Sequence, residues 1–128
     1  MFVRFVVAAR DEDSQRRVGV FHAAQALHAG GRLTDAEREW YGRIRRWFER
    51  HLPVPGRFAR SRRPHACGKA VCWFRDSAGE HLAKVRELLP LLERHGVATA
   101  FLRTARPGYV VYEDAYQVAA VPFRDTSA

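Results

Sequence analysis

Residues 69–104 read KAVCWFRDSAGEHLAKVRELLPLLERHGVATAFLRT. Residues 69–75 and 97–104 are predicted strands, because β-branched and aromatic residues fit a pleated, half-buried surface. Between them lies a predicted helix whose apolar residues recur at helical spacing, namely Leu82, Val85, Leu88, Leu89 and Leu92. A strand-helix-strand connection within one sheet is almost always right-handed and makes its two strands parallel. This segment therefore predicts a sheet with a helix packed against it.

The N-terminal part of the chain predicts one more strand and two more helices. Residues 2–9 are rich in apolar and β-branched residues and predict the first strand. The acidic run at 11–14 predicts the start of a helix that ends at Gly30, since capping side chains and carboxylates favour a helix N-terminus. Thr34 and Glu37 have the spacing of a capping box, which predicts the start of another helix.

The C-terminal residues predict a hairpin. Residues 109–113 and 116–121 are predicted strands on either side of a turn at 114–115. Together with the strand at 97–104, they are expected to form an antiparallel meander. A second capping box is expected at 77–80, at the start of the helix described first.

These elements predict an α+β fold with the order β-α-α-β-α-β-β-β. The simplest arrangement has two layers, in which three helices pack on a mixed β-sheet of about five strands. Residues 1–128 are expected to form a single domain, since 128 residues suffice for one core. Within it, residues 53–66 form a long basic loop rich in Pro and Arg, and loops of this length are usually functional or mobile.

The net charge of +8 is concentrated in one quarter of the chain. Residues 38–69 contain ten basic residues and only two acidic ones, Glu39 and Glu49, so this segment alone carries +8. The rest of the chain has equal numbers of acidic and basic residues. Arginine and lysine neutralise phosphates and release counterions, which supplies most of the sequence-independent affinity for nucleic acid.

The helix expected after Thr34 has two distinct faces. Its apolar residues recur at i, i+4, i+7 and i+8, which predicts a buried face made of Trp40, Ile44, Trp47 and Phe48. A base-stacking role for the tryptophans is the alternative to this core role. A different face of the same helix carries three arginines, namely Arg43, Arg46 and Arg50.

The leading hypothesis is a small basic binding module, without catalysis, that contacts the backbone of DNA or RNA. Phe58 lies among arginines in the basic loop, as aromatic residues do in surfaces that bind single strands. The candidate binding residues are Arg43, Arg46, Arg50, Arg57, Phe58, Arg60, Arg62, Arg63 and Lys69. The same arginines suit an acidic protein partner, so a regulatory or adaptor subunit stays open as an alternative.

A small hydrolase or nuclease that uses His51 or His65 is the third hypothesis. His81 and His95 lie near the ends of their predicted helix and are expected at the surface. No cofactor is expected, because the chain has neither a P-loop nor a dinucleotide-binding glycine motif.

The two cysteines are predicted to be ordinary thiols. His65, Cys67 and Cys72 have the pattern H-x-C-x4-C, but a structural zinc site needs four ligands and no second cluster completes the set. We therefore predict no metal site. Cys72 is expected to face the core, because free cysteine is among the most buried residue types.

The sequence also predicts a cellular location. No stretch approaches the roughly 20 apolar residues that a membrane helix requires. The apolar run at 2–9 is short and interrupted by Arg4, so a strand explains it better than a signal peptide. The predicted location is the cytoplasm, with no membrane partner.

Several short motifs of this chain carry a resemblance to a known group of proteins. They are MFVRFV at 1–6, the acidic run at 11–14, Trp47-Phe48 before His51-Leu52-Pro53, Trp73-Phe74, and YQVAA at 116–120. On these residues the chain resembles a family of small bacterial proteins of unknown function. The resemblance covers most of the chain and implies a bacterial, single-domain protein, with no activity, cofactor or site. The cysteine pair and the arginine-rich loop lie outside the shared pattern.

Overall fold

The computed structural model describes residues 1–12, 15–53 and 69–128. Within these ranges it contains three helices and six strands, which confirms the predicted α+β class. In chain order they are β1 (Phe2–Arg10), β2 (Arg17–Gly19), α1 (Val20–Ala29), α2 (Asp35–His51), β3 (Val71–Arg75), α3 (Gly79–Arg94), β4 (Thr99–Thr104), β5 (Tyr109–Glu113) and β6 (Gln117–Val121).

The sheet is organised around β1. β4 pairs with one edge of β1, and both β2 and β3 pair with the other edge. On its far side β3 pairs with β6, and β6 pairs with β5. β3 and β4 are both antiparallel to β1, so they run parallel to each other, as the strand-helix-strand unit predicts, with β1 between them. All the strand pairs that the described residues form are antiparallel.

The predicted meander was wrong. β5 and β6 form the expected hairpin, but β4 pairs with β1, while the second neighbour of β6 is β3. The reason is that β1 lies between β3 and β4 and pairs with one of them along each of its edges. A turn at Asp114 closes the hairpin, because its carboxylate accepts hydrogen bonds from the backbone N–H of Tyr116 (2.8 Å) and of Gln117 (3.0 Å).

The predicted start of the first helix was also wrong. β1 continues to Arg10, which pairs with Arg17 of β2, and the backbone N–H of Asp11 donates to the carbonyl of Arg16 at 2.7 Å. These backbone groups are used by a hairpin and cannot begin a helix, so α1 starts only at Val20. Part of the predicted cap, Asp13 and Ser14, lies outside the described residues.

The main core lies between the helices and one face of the sheet. Val3, Phe5 and Val7 of β1 face all three helices there. The helical side chains buried in this core are Val20, Ala24, Tyr41, Ile44, Phe48, Leu82, Val85, Leu88, Leu91 and Leu92. The buried face predicted for α2 is confirmed, with Trp40 and Trp47 partly buried at its margin. The opposite face of the sheet carries a smaller cluster around Trp73 and Val118.

The second capping box, predicted at 77–80, does not form. Ala78 is the N-cap of α3 and makes no side-chain cap. Its backbone N–H donates to the carbonyl of Arg75, and the N–H of Gly79 donates to that of Ser77. The turn itself therefore satisfies these donors, while the buried methyl group of Ala78 faces inward.

A buried carboxylate joins the start of α2 to the end of α3. Thr34 and Glu37 form the predicted capping box, with N···O distances of 2.9 and 3.2 Å. His95 Nε2 lies 3.1 Å from each carboxylate oxygen of Glu37, and Arg94 Nε lies 3.4 Å away. The backbone hydrogen bond from Thr34 lowers the pKa of Glu37; burial opposes this effect, and His95 adds to the lowering.

Replacing Glu37 by Gln should therefore reduce the free energy of unfolding at neutral pH. It should also make the further loss of stability on acidification smaller than in the wild type. A lowered carboxyl pKa in the folded state contributes stability that is present above the unfolded value and lost as pH falls through the folded pKa. Urea unfolding at pH 7 and at pH values below 4.5 measures both effects. Glu39→Gln, an exposed change on the same helix, is the control. An equal loss on acidification in E37Q and wild type would contradict this account.

Gly108 should not tolerate a side chain. Its φ is +133°, and an added Cβ would lie 2.0 Å from the carbonyl oxygen of Val121. Gly108→Ala should therefore lower the free energy of unfolding by about 2 kcal/mol or more, through backbone strain and a forced shift between β5 and β6. Gly79→Ala, where a Cβ meets nothing within 4 Å, should leave stability unchanged or raise it. Urea unfolding of both variants checks this, and equal midpoints would contradict it.

Candidate functional site

The exposed side of α2 carries three arginines on one face. Arg43, Arg46 and Arg50 are all exposed, and the i, i+3, i+7 spacing places them together. Arg50 Nε donates to the carbonyl of Arg46 at 3.3 Å, and none of the three forms an ion pair within the described residues. We call these residues the α2 arginine face.

Other arginines of α2 are neutralised by carboxylates of the same helix. Arg38 pairs with Asp35, and Arg45 Nε lies 3.6 Å from Glu49. Arg43, Arg46 and Arg50 are therefore the arginines of α2 that form no ion pair within the described residues.

The remaining predicted binding residues are only partly located. Lys69 is exposed next to Ala70, which lines the same cavity as Leu52 at the C-terminal end of α2. Lys69 therefore lies on the side of the molecule where α2 ends. The loop residues Arg57, Phe58, Arg60, Arg62 and Arg63 are outside the described residues.

His51, His81 and His95 take up structural contacts. His51 is exposed, and its ring stacks on Trp47 with centroids 4.4 Å apart. The surface position predicted for His81 was wrong, because its ring is buried against Tyr116 and Trp47 and its Nε2 lies 2.8 Å from the carbonyl oxygen of His51. His95 is also partly buried, through its contact with Glu37. His65 lies outside the described residues.

Two kinds of feature are absent from the described residues. No three His, Cys, Asp or Glu side chains in this part of the chain are arranged to hold a metal ion. Among its helices, none has the length and apolar character needed to cross a membrane.

The sheet is split beside Arg4. β4 occupies one edge of β1 from Phe2 to Val7, so β2 and β3 must share the other edge. On that edge β3 pairs with Phe2 and Val3, whereas β2 pairs with Val6 and Arg10. The two strands therefore diverge at Arg4 and Phe5.

A cavity of about 240 Å³ opens at this split. It is bounded by the split strands, the first residues of α1, the residue after α2 and one residue of α3. Its lining includes Arg4, Phe5, Val20, Phe21, Leu52, Cys72, Trp73, Phe74, Val85 and Gln117.

Arg4 is the buried charge of this cavity. Its side chain is only 8% exposed, and Nη2 donates to the carbonyl of Arg17 at 2.7 Å, while the guanidinium carbon lies 5.7 Å from the ring centroid of Trp73. Nη1 has no hydrogen-bond partner among the described residues. Burial lowers the pKa of Arg4 to about 10, partly opposed by Cys72, so the guanidinium stays protonated at pH 7.

Cys72 faces the cavity and not the core. The core position predicted for it was wrong, since the thiol is exposed between the buried residues Val71 and Trp73. The reason is the split, which leaves open space in front of the middle of β3. The surrounding cavity walls raise the pKa of the Cys72 thiol by desolvation; Arg4 counteracts this, and Asp114 adds to it. Cys67 lies outside the described residues.

The sequence contained one signal for this cavity. Arg4 interrupts an otherwise apolar run from Phe2 to Ala9. A charged residue in the middle of such a strand needs either solvent or a partner when the strand is buried. Because the split that receives Arg4 depends on where distant strands pair, the sequence alone does not show it.

Comparison with known proteins finds no matching family model, no significantly similar curated protein and no significantly similar solved structure. The resemblance to small bacterial proteins therefore stays a prediction.

Replacing Arg4 by Met should raise the pKa of Cys72 further. The guanidinium favours the thiolate, so its removal leaves desolvation and the charge of Asp114 acting alone. In a Cys67→Ser background, the rate of alkylation by iodoacetamide against pH measures the Cys72 thiol. Arg10→Met, a change at an exposed arginine of the same strand, is the control. An unchanged midpoint in R4M would show that the two groups do not interact.

Proposed function

We propose that this protein binds the backbone of DNA or RNA through the α2 arginine face. The observation that carries the proposal is that Arg43, Arg46 and Arg50 are exposed together, without a carboxylate partner within the described residues. They belong to the segment that carries the whole net charge of the chain. We also propose that the protein is bacterial and cytoplasmic, because nucleic acid is directly accessible in that compartment.

The geometry of the face suits a polyanion. Residues 43 and 50 are seven positions apart, which corresponds to about 10 Å along a helix axis. One strand of DNA has a phosphate every 3.4 Å or so along its axis, so this length spans about three phosphates. The three guanidinium groups can therefore reach up to three phosphates.

The rest of α2 is held firmly enough to present this face. Its apolar face is in the main core, the Glu37 network anchors its start, and Trp40 Nε1 donates to the carbonyl of Glu87 in α3 at 2.9 Å. Contacts to phosphate position a protein on nucleic acid but do not read its sequence. The expected binding is therefore independent of sequence and sensitive to salt.

Reversing the charge of the face should abolish most of the salt-dependent binding. Three phosphate contacts predict a slope of about −2.7 in log affinity against log salt for duplex DNA, or a roughly 40-fold loss between 50 and 200 mM salt. The variant Arg43→Glu, Arg46→Glu, Arg50→Glu should lose this component in fluorescence anisotropy titrations with single- and double-stranded DNA and RNA. A Gln version of the same variant tests the face if the Glu version unfolds.

The control has the same net charge change elsewhere on the surface. Arg32, Arg103 and Arg124 are exposed and lie outside α2, so their replacement by Glu should preserve binding. Equal losses in both triple variants would mean that only total charge matters, and the proposed face would be wrong. Wild-type protein that binds no nucleic acid at low salt would overturn the proposal and favour the acidic protein partner.

A further inference from the structure

Four aromatic rings form a continuous row from the C-terminal end of α2 to the turn between β5 and β6. The ring of His51 stacks on Trp47 with centroids 4.4 Å apart, and Trp47 meets His81 edge to face at 5.0 Å. The ring of His81 lies 4.3 Å from that of Tyr116 at the hairpin turn. His81 Nε2 also lies 2.8 Å from the carbonyl oxygen of His51, so a polar contact joins the row internally. We call these four residues the aromatic row.

The two ends of the aromatic row are exposed, whereas its middle is held by the protein. Tyr116 is 40% exposed and His51 is exposed as well, while His81 is only 5% exposed and Trp47 is partly buried. Each exposed ring packs on a ring that is itself fixed in the structure. The exposed rings are therefore oriented before a ligand binds, which lowers the entropic cost of binding.

The aromatic row begins beside the α2 arginine face. Trp47 follows Arg43 by four residues and precedes Arg50 by three, and residues at these spacings are neighbours on the surface of a helix. His51 lies four residues beyond Trp47, so it continues the same side of α2. Surfaces that bind single strands combine cations that follow the backbone with rings on which bases stack. α2 carries both kinds of group side by side.

The carboxylates near the aromatic row determine where phosphates can lie. A shallow groove beside Trp47 is lined by two carboxylates and one lysine of α3, namely Glu80, Glu87 and Lys84. Asp114 accepts a hydrogen bond from the backbone N–H of Tyr116, so a further carboxylate lies at the other end of the row. Like charges repel, so these groups disfavour phosphate at the row without opposing an uncharged base. The phosphates of a bound strand are therefore expected on the α2 arginine face and its bases on the exposed rings.

We propose that this protein binds single-stranded nucleic acid in preference to duplex, with unpaired bases stacked on the exposed rings of His51 and Tyr116. This inference rests on the proposed function, because the α2 arginine face supplies the contacts to phosphate. The bases of a duplex are paired and stacked on each other, so reaching these rings would require unstacking them. Every base has a π-face, so the preference concerns strandedness and not sequence.

Oligothymidine and an abasic strand of the same length separate base contacts from phosphate contacts, because they carry the same phosphates and only the first carries bases. In fluorescence anisotropy titrations at one salt concentration, the wild type should bind oligothymidine about tenfold more tightly than the abasic strand, since a stacked base contributes on the order of tenfold in affinity. Oligothymidine should also be bound more tightly than a duplex of the same length.

Tyr116→Ala should remove most of the difference between the two strands while leaving the affinity for the abasic strand unchanged. Tyr116→Phe keeps the ring and should bind both strands as the wild type does. Tyr109→Ala is the matched control, because Tyr109 is 51% exposed at the opposite end of the same hairpin, and it should change neither affinity. His51→Ala should reduce the affinity for oligothymidine in the same way, and it tests the proposal if Tyr116→Ala fails to fold.

Equal affinity of the wild type for oligothymidine and the abasic strand, or tighter binding of the duplex, would overturn this inference. A salt dependence that is lost in the charge-reversal variant of the α2 arginine face would then leave the proposed function standing. An equal loss for both strands in Tyr116→Ala would assign the ring a structural role and would also overturn the inference. Binding of neither strand at low salt would contradict the proposed function itself, and this inference with it.

Discussion

Two strands compete for one edge of β1. β4 pairs with the other edge along six residues. β2 and β3 therefore share the remaining edge and diverge at Arg4 and Phe5. A gap in a sheet leaves backbone groups without their ladder partners, and such groups need another source of hydrogen bonds. Arg4 supplies one, because its guanidinium donates to the carbonyl of Arg17 in β2. The same divergence produces the cavity and exposes Cys72, so three features of the molecule follow from one pairing constraint.

The elements whose cause is local were predictable. The Thr34–Glu37 capping box, the buried face of α2 and the hairpin around Asp114 each depend on residues a few positions apart, and all three are present. The features that failed depend on distant pairing. The first helix starts later than predicted because Arg17 pairs with Arg10 in a strand, β2. The meander is absent because β4 pairs with β1.

The predicted positions of the candidate site residues also depend on whether their cause is local or distant in sequence. The α2 arginine face was predicted from the spacing of Arg43, Arg46 and Arg50 on one helix, and the structure confirms their exposure. His81 was predicted at the surface and Cys72 in the core, and both predictions were wrong, because the burial of these residues is decided by residues far away in sequence. Tyr116 covers His81 from the hairpin turn, whereas the diverging strands uncover Cys72.

The two positively charged features of this protein differ in the medium that surrounds them. The α2 arginine face lies in solvent, where salt screens charges over about 10 Å at 0.1 M, so each arginine acts weakly and the face acts through their number. Arg4 lies in the interior, where screening is slight and a single missing partner has a large effect. An extended polyanion suits the first arrangement. Because the two surroundings respond so differently to ionic strength, salt should weaken an interaction at the α2 arginine face far more than one at Arg4.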